Sequence, residues 1–347
     1  MGFTSFFAEQ LRGAEAIHAR IASEHRKRYE VWTEEGECSA QLAGRLYQEL
    51  DAEARPAVGD WVTLKAPLES GQTAIIERVL KRRTAFTRGA AGREAREQVI
   101  AANVDIIFAV TGLDSDFSIH RIERYLSRIW ASGALPVIIL NKADLCPDVQ
   151  ARLTEVEEHC PGAQILVTSS FQSDSLEEIR KLITDGQTAA FVGSSGVGKS
   201  TLINALIGEE RMPTQEVMES DGRGRHTTTH RQLILLPSGG LLLDTPGMRE
   251  LQLLDEEGID LTFADIDSLS ANCRFSDCGH ESEPGCAVRE AVSVGDLSAE
   301  RLEHYLKLKQ ESRSYEIRHD EHLRRKSERV WGQLQKEGNL IRRLKSG

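Results

Sequence analysis

Ala189-Ala190-Phe191-Val192-Gly193-Ser194-Ser195-Gly196-Val197-Gly198-Lys199-Ser200-Thr201 reads as an apolar strand, a glycine loop and the first turn of a helix. The loop has the pattern G-x-x-x-x-G-K-[ST], and strand–loop–helix is the setting in which that pattern holds phosphate. Its glycines let backbone N–H groups turn toward phosphate oxygens at a helix N-terminus, where negative charge is stabilised. Gly193, Ser194, Ser195, Gly196, Val197, Gly198, Lys199, Ser200 and Thr201 are therefore the candidate cradle. Lys199 is placed to bridge β- and γ-phosphates, and Ser200 to ligate Mg²⁺.

Upstream, Asn141-Lys142-Ala143-Asp144 ends the apolar run Val137-Ile138-Ile139-Leu140. The Asp144 carboxylate can accept both N1–H and N2–H₂ of guanine, a pair that adenine does not offer. The Lys142 stem can cover one face of the base, and Asn141 belongs to the same loop. Ser169 and Ser170, after the strand-like Ile165-Leu166-Val167, suit a loop that turns a backbone N–H to guanine O6. In the usual arrangement a guanine-reading loop follows the phosphate loop. Here Asn141 precedes Gly193, so the nucleotide domain reads as circularly permuted.

Downstream, Asp244-Thr245-Pro246-Gly247 ends the apolar run Leu241-Leu242-Leu243. Asp244 there can hold the Mg²⁺ shell, and the Gly247 N–H can reach a γ-phosphate. Gly222-Arg223-Gly224-Arg225-His226-Thr227-Thr228-Thr229 lies between the two phosphate motifs, where the first switch belongs. Thr228 is the candidate to complete the Mg²⁺ shell, with Thr227 next; the glycines suit a loop ordered by the γ-phosphate. Met248 follows Gly247 and cannot orient a water, so hydrolysis is expected to be slow unaided. His226 is a candidate water-positioner, and a solvent-facing loop histidine is its other reading.

Around this site the texture changes twice. From Ala16 to about Arg88 short strands and turns alternate: Tyr29 to Trp32, Leu42 to Leu46, Gly59 to Leu64 and Thr73 to Leu80. Such a run suits a small OB-fold β-barrel. Residues 89–98 read as a linker. Beyond Asn103 strands alternate with helices, as in a mostly parallel α/β sheet, and Ile119, Ile122, Leu126 and Ile129 recur at helical spacing. After Leu254 no strand pattern recurs. The expected domains are an N-terminal extension (1–15), the barrel (16–98), a permuted α/β P-loop domain (99–255) and a C-terminal zinc-binding and helical domain (256–347).

Cys273-x₄-Cys278-x-His280-x₅-Cys286 places four N/S ligands in fourteen residues. Four such ligands satisfy tetrahedral Zn²⁺ and leave no open position, so the reading is one structural zinc. The 347-residue chain carries a net charge of −11, which globally argues against nucleic-acid binding. Locally the balance differs: from Arg301 to Gly347 there are 13 Lys/Arg against 7 Asp/Glu. Lys81, Arg82, Arg83, Arg88, Arg93 and Arg96 form a second basic group. Trp32, Tyr47, Trp61, Arg45, Arg82 and Arg83 are candidate RNA contacts on the barrel, with core packing the favoured reading for Trp61. The tail, with Arg324, Arg325, Lys326, Arg329, Arg342, Arg343 and Lys345, reads equally as a solvated helix face or a phosphate-contacting helix. No apolar run is long enough to span a membrane, and no secretory signal is evident, so a cytoplasmic protein is expected.

The barrel, the permuted nucleotide motifs and the Cys273–Cys286 cluster together resemble the ribosome small-subunit-dependent GTPase A family (RsgA, also called YjeQ). The likeness runs from about Tyr29 to the end of the helical tail and includes Cys273-Arg274-Phe275-Ser276-Asp277-Cys278-Gly279-His280. It implies a GTP hydrolase, forming GDP and phosphate, that binds the small ribosomal subunit (16S rRNA and its proteins) near the decoding region. It further implies a role in late subunit maturation and faster hydrolysis on the subunit. A monomer is expected. A passive RNA-binding zinc protein using GTP as a structural ligand is the alternative. A P-loop kinase is disfavoured by the guanine reader.

Overall fold

The computed structural model describes residues 1–11, 16–25, 28–50, 54–66, 72–89, 97–169, 173–209, 231–244 and 256–319. After α1 (Ser5–Glu9) come β1 (Ile17–His25), β2 (Arg28–Thr33), β3 (Gly36–Leu42), α2 (Gly44–Glu49), β4 (Trp61–Leu64) and β5 (Ala74–Val79). β1 pairs with both β2 and β4, and β3 and β5 complete the ring, so the five strands close into the expected barrel. The core of Ala19, Ile21, Val31, Val62 and Ile76 alternates along these strands.

Three expectations about this region need correction. Leu42 to Leu46 is not a strand: β3 ends at Leu42, where its pairing with Ile76 stops, and α2 begins at Gly44. Arg45, Leu46, Gln48 and Glu49 are good helix formers once the chain has left the sheet. The 89–98 segment is not wholly a linker. β6 (Ala85–Gly89) and β7 (Glu97–Ala102) pair as an antiparallel hairpin, so β7 runs across the boundary expected after residue 98. One proposed RNA contact, Arg82, is already engaged, and Trp61 lies in the core as favoured. Trp61 is 2% exposed under Phe3 and Phe7, and Arg82 is spent on the buried Asp60, at 2.7 Å.

The alternating region comprises β8 (Ile106–Gly112), α3 (Ile119–Ala131), β9 (Leu135–Asn141), α4 (Val149–His159), β10 (Gln164–Val167), α5 (Ser173–Leu182), β11 (Thr188–Val192), α6 (Lys199–Ile207), β12 (Gln232–Leu235) and β13 (Leu241–Asp244). Strands β10, β9, β8, β11 and β13 are parallel neighbours in that order, and most of their apolar residues are buried. β12 turns back antiparallel and meets β1 at Ser23 and Gln232, so barrel and α/β sheet form one continuous sheet.

Arg20 rivets this junction. Its guanidinium donates to the carbonyls of Met1 (2.6 Å) and Asn103 (3.3 Å) and to Thr188 Oγ1 (2.6 Å). Burial lowers its pKa to about 10. The N-terminal residues are thus part of the packed structure: Phe7 is buried against Trp61 and Leu80.

Four helices follow: α7 (Glu256–Thr262), α8 (Ala264–Ser270), α9 (Ala287–Val294) and α10 (Ala299–His319). Ile259, Phe263, Ile266, Val288, Leu302 and Leu308 form their own core, into which Cys286 is packed.

Candidate nucleotide site and metal centre

The motif loops gather at one end of the parallel sheet because each closes or follows the carboxyl end of one of its strands. Asn141 closes β9, Gly193 follows β11, and Asp244 closes β13. The carboxyl ends of parallel strands are where open α/β sheets bind ligands.

The phosphate loop is built by sterics. Gly193 (φ +148°) lies against β8, and a Cβ there would stand 2.2 Å from the Val110 carbonyl oxygen. Gly196 and Gly198 also have positive φ, 80° and 98°, which L side chains rarely adopt. Val197 is buried and anchors the loop, while Ser195, Gly196 and Thr201 are exposed. Ser194, Gly198, Lys199 and Ser200 are half-buried. The Lys199 ammonium reaches back over the loop to the Gly193 carbonyl at 2.8 Å and to that of Ser194. Its charge therefore sits where phosphate oxygens would gather.

The guanine-side loop is tied to the phosphate loop. Asn141 is fully buried; its amide donates to the Val197 carbonyl at 2.8 Å and its Oδ1 accepts from Thr168 Oγ1 at 3.0 Å. Asn141 thus acts between loops, joining β9, β10 and the phosphate loop. Lys142 adopts a left-handed backbone (φ 61°), which lifts its side chain across to Asp114 Oδ2 at 2.6 Å. That hydrogen bond holds the Asp114 carboxyl below the usual range. The exposed Asp144 carboxylate accepts from Ser169 Oγ at 2.7 Å, which orients it at the mouth of the site.

Two residues here had no signal in the sequence reading. Asp114 orients Lys142, and Arg121 donates to Ser194 Oγ at 2.8 Å while braced by Asp116 Oδ2 at 2.6 Å. Both lie in or after the β8 loop, and only the packing of that loop beside the phosphate loop reveals them. Ser170, His226, Thr227, Thr228, Thr245, Gly247, Met248, Arg93, Arg96 and the basic residues after 319 lie outside the described residues. The same holds for the side chains of Tyr47, Arg88 and Asp244; the Asp244 backbone pairs with Gln232. Of the remaining RNA candidates, Arg45 is exposed, Trp32 packs on the barrel core, and Arg83 is paired with Asp105.

The second site lies between α8 and α9. Ligand atoms of Cys273, Cys278, His280 and Cys286 all fall within 4.8 Å of one another. His280 points Nδ1 at the sulfurs, 3.4 Å from Cys286 and 3.7 Å from Cys273. All six cysteines are free, so the cluster is not a disulfide. The loop is braced by Glu283, whose carboxylate accepts from the backbone N–H groups of Gly279, Glu281 and Ser282, each at 2.9 Å. A Cys₃His set with such spacing can hold a metal ion.

Comparison with known proteins agrees with this geometry. The RsgA GTPase family model matches residues 79–254, just over half the chain. A small ribosomal subunit biogenesis GTPase RsgA 2 from Lactiplantibacillus plantarum is 48% identical over 85% of this chain and 83% of its own. The chain belongs to the RsgA GTPase family. A second relative, the small ribosomal subunit biogenesis GTPase RsgA of Opitutus terrae, is 43% identical over 96% of this chain and 95% of its own. The crystal structure of YjeQ from Thermotoga maritima superposes with a TM-score of 0.64 at 28% identity, covering 86% of this chain and 98% of that one. YloQ, described as a circularly permuted GTPase, gives a TM-score of 0.63 at 27% identity over 87% and 97%. As in this family, the chain is a GTP hydrolase with the guanine-side loop ahead of the phosphate loop. Among the described residues no helix is long and apolar enough to cross a membrane.

Proposed function

We propose that this chain binds the small ribosomal subunit, assists its late maturation, and hydrolyses GTP to GDP and phosphate faster when bound to it. The observation that carries this reading is the Asn141–Val197 hydrogen bond at 2.8 Å, which joins a guanine-reading loop to a phosphate loop beside a separate Cys/His module. The relatives' names, small ribosomal subunit biogenesis GTPase, supply the partner.

In this reading Asp144 reads the guanine edge, with Ser169 and Ser170 behind it and Lys142 over the base. Gly193 to Thr201 cradle the phosphates, Lys199 neutralises the β- and γ-oxygens, and the Gly247 N–H meets the γ-phosphate. Ser200 and Thr228 would hold Mg²⁺, Asp244 would help hold its shell, and His226 is the candidate to position water. Bound Mg²⁺ would neutralise charge developing on the β- and γ-phosphates. One Zn²⁺ held by Cys273, Cys278, His280 and Cys286 would be structural, since the closed ligand set leaves no position for water. Barrel, GTPase and zinc-bearing domains follow the N-terminal segment in that order, with the barrel–GTPase boundary placed after β7 rather than at residue 98. The protein acts as a cytoplasmic monomer.

The test is GTP turnover with and without purified small ribosomal subunits, with Lys199→Ala as blank. Strong stimulation by small but not large subunits is expected. Slow turnover that no ribosomal particle stimulates would reject the reading.

A further inference from the structure

One helix touches both the phosphate loop and the C-terminal helices. α3 is 13 residues long, and its faces have separate tasks. Ile122, Leu126 and Ile129 are buried in the core. Arg121 grips Ser194, the second residue of the phosphate loop, at 2.8 Å, and Tyr125, one turn on, meets the same serine. Other side chains of α3 seat the C-terminal helical module. Arg124 forms a two-pronged pair with Glu311 of α10, at 2.5 and 3.2 Å. Glu123 accepts from Arg301 (2.7 Å) and His304 (2.5 Å), also of α10, and Ser127 Oγ meets Thr262 Oγ1 of α7 at 3.1 Å. Backbones are in contact too: a Cβ on Gly258 would stand 2.0 Å from the Ser127 carbonyl oxygen.

A helix is stiff along its axis, so a load that shifts α10 against Arg124 also shifts Arg121 and Tyr125, three residues back and one residue on. The loop they hold presents N–H groups to phosphate, and rates of such reactions respond to sub-ångström placement. We propose that the Arg124–Glu311 pair is a positioning contact for GTP hydrolysis: through α3 it transmits the seating of the zinc-bearing module to Ser194. A partner that engages that module thereby accelerates hydrolysis. The inference rests on the functional reading above, in which that partner is the small ribosomal subunit.

This pair is the useful place to intervene. Arg124 and Glu311 are 28% and 39% exposed, so removing one leaves no buried bare charge. Glu123, at 0%, offers no such freedom.

The experiment uses the full chain as Arg124→Gln, Glu311→Gln and the swap Arg124→Glu with Glu311→Arg. Turnover is measured alone and on purified small subunits, with subunit binding followed by co-sedimentation. Basal turnover, KM for GTP and subunit binding should stay within twofold of the wild type. The subunit-stimulated kcat should fall about tenfold in each single variant, a usual size for coupling between sites, and recover in the swap. Full stimulation in both single variants would overturn the inference alone. So would a loss that tracks weakened subunit binding and does not recover in the swap. Wild-type turnover that subunits leave unstimulated would overturn the functional reading, and this inference with it.

Discussion

The Asn141 side chain and the Val197 backbone, 56 positions apart in sequence, meet at 2.8 Å and bind the guanine-side loop to the phosphate loop. Because Asn141 is fully buried, its amide has no water to fall back on.

Asn141→Ala should therefore weaken nucleotide binding as a whole. Losing a buried hydrogen bond and leaving its partner unpaired costs about 1–3 kcal/mol, so GDP affinity should fall about tenfold. Titration with a fluorescent GDP checks this, and unchanged affinity would show that the link is dispensable.

Asp144→Asn should act on the base alone. The substitution trades an acceptor for a donor at the group held by Ser169 at 2.7 Å. Affinity for GTP should drop about 100-fold or more, since a mismatched polar contact discriminates strongly. Xanthosine triphosphate, which presents an acceptor there, should recover binding. Equal weakening toward both nucleotides would refute the assignment of Asp144 as base reader.

Phe7→Ala tests whether the N-terminal segment belongs to the barrel core. Phe7 is 2% exposed against Trp61 and Leu80. A buried Phe→Ala change costs about 3–5 kcal/mol. Urea unfolding monitored by tryptophan fluorescence reads it, and a cost under about 1 kcal/mol would place the segment outside the core.

The seat of α10 on α3 should depend on pH. Glu123 is faced by His120 of its own helix, by His159 in the last turn of α4, and by Arg301 and His304 of α10, with Asp265 and Glu300 nearby. Burial opposes its ionisation, yet hydrogen bonds from His159 and His304 and the Arg301 charge hold its pKa down to about 2, from 4.5. That stability is present above pH 4.5 and is lost as pH falls toward 2. The hydrogen bond to Glu123 raises His159 above 6.5, so its contribution is full below pH 6.5 and fades as pH rises through the raised value. Thermal unfolding should thus show the module held best between 4.5 and 6.5, with the alkaline decline absent in His159→Gln. An identical decline in that variant would assign the effect to other groups.

Metal removal should separate the two sites. The helices α7 to α10 have their own core with Cys286 in it, whereas α6 and the parallel sheet pack in another. A strong chelator, or Cys286→Ser, should release about one equivalent of zinc and lower the thermal transition of the C-terminal helices. GDP binding should persist. Protein purified without zinc yet equally stable would refute the structural role.

Much of this was readable from the chain. The phosphate loop, the guanine-side loop and the cysteine cluster are each contiguous, so spacing alone carries their chemistry. The helical period of Ile119, Ile122, Leu126 and Ile129 correctly announced α3. The failures were local and physical. Leu42 to Leu46 is apolar enough for a strand, but sheet pairing ends at Leu42 and helix propensity takes over. The polar run after Arg88 hid a hairpin, because pairing of β6 with β7 is made by backbone groups that composition does not report. Arg82 looked like a surface cation until Asp60 was found buried beside it.

By itself the sequence determined which motifs are present: a phosphate-loop pattern, an Asn-Lys-x-Asp loop and a Cys₃His cluster, in permuted order. These follow from residue type and short spacing, which local backbone geometry converts directly into shape. Only the tertiary structure decided that Asp114 braces Lys142, that Arg121 holds Ser194, that β12 joins β1, and that α3 touches both the phosphate loop and the C-terminal helices. Those partners lie far apart along the chain, and their meeting depends on strand register and helix packing summed over the whole fold.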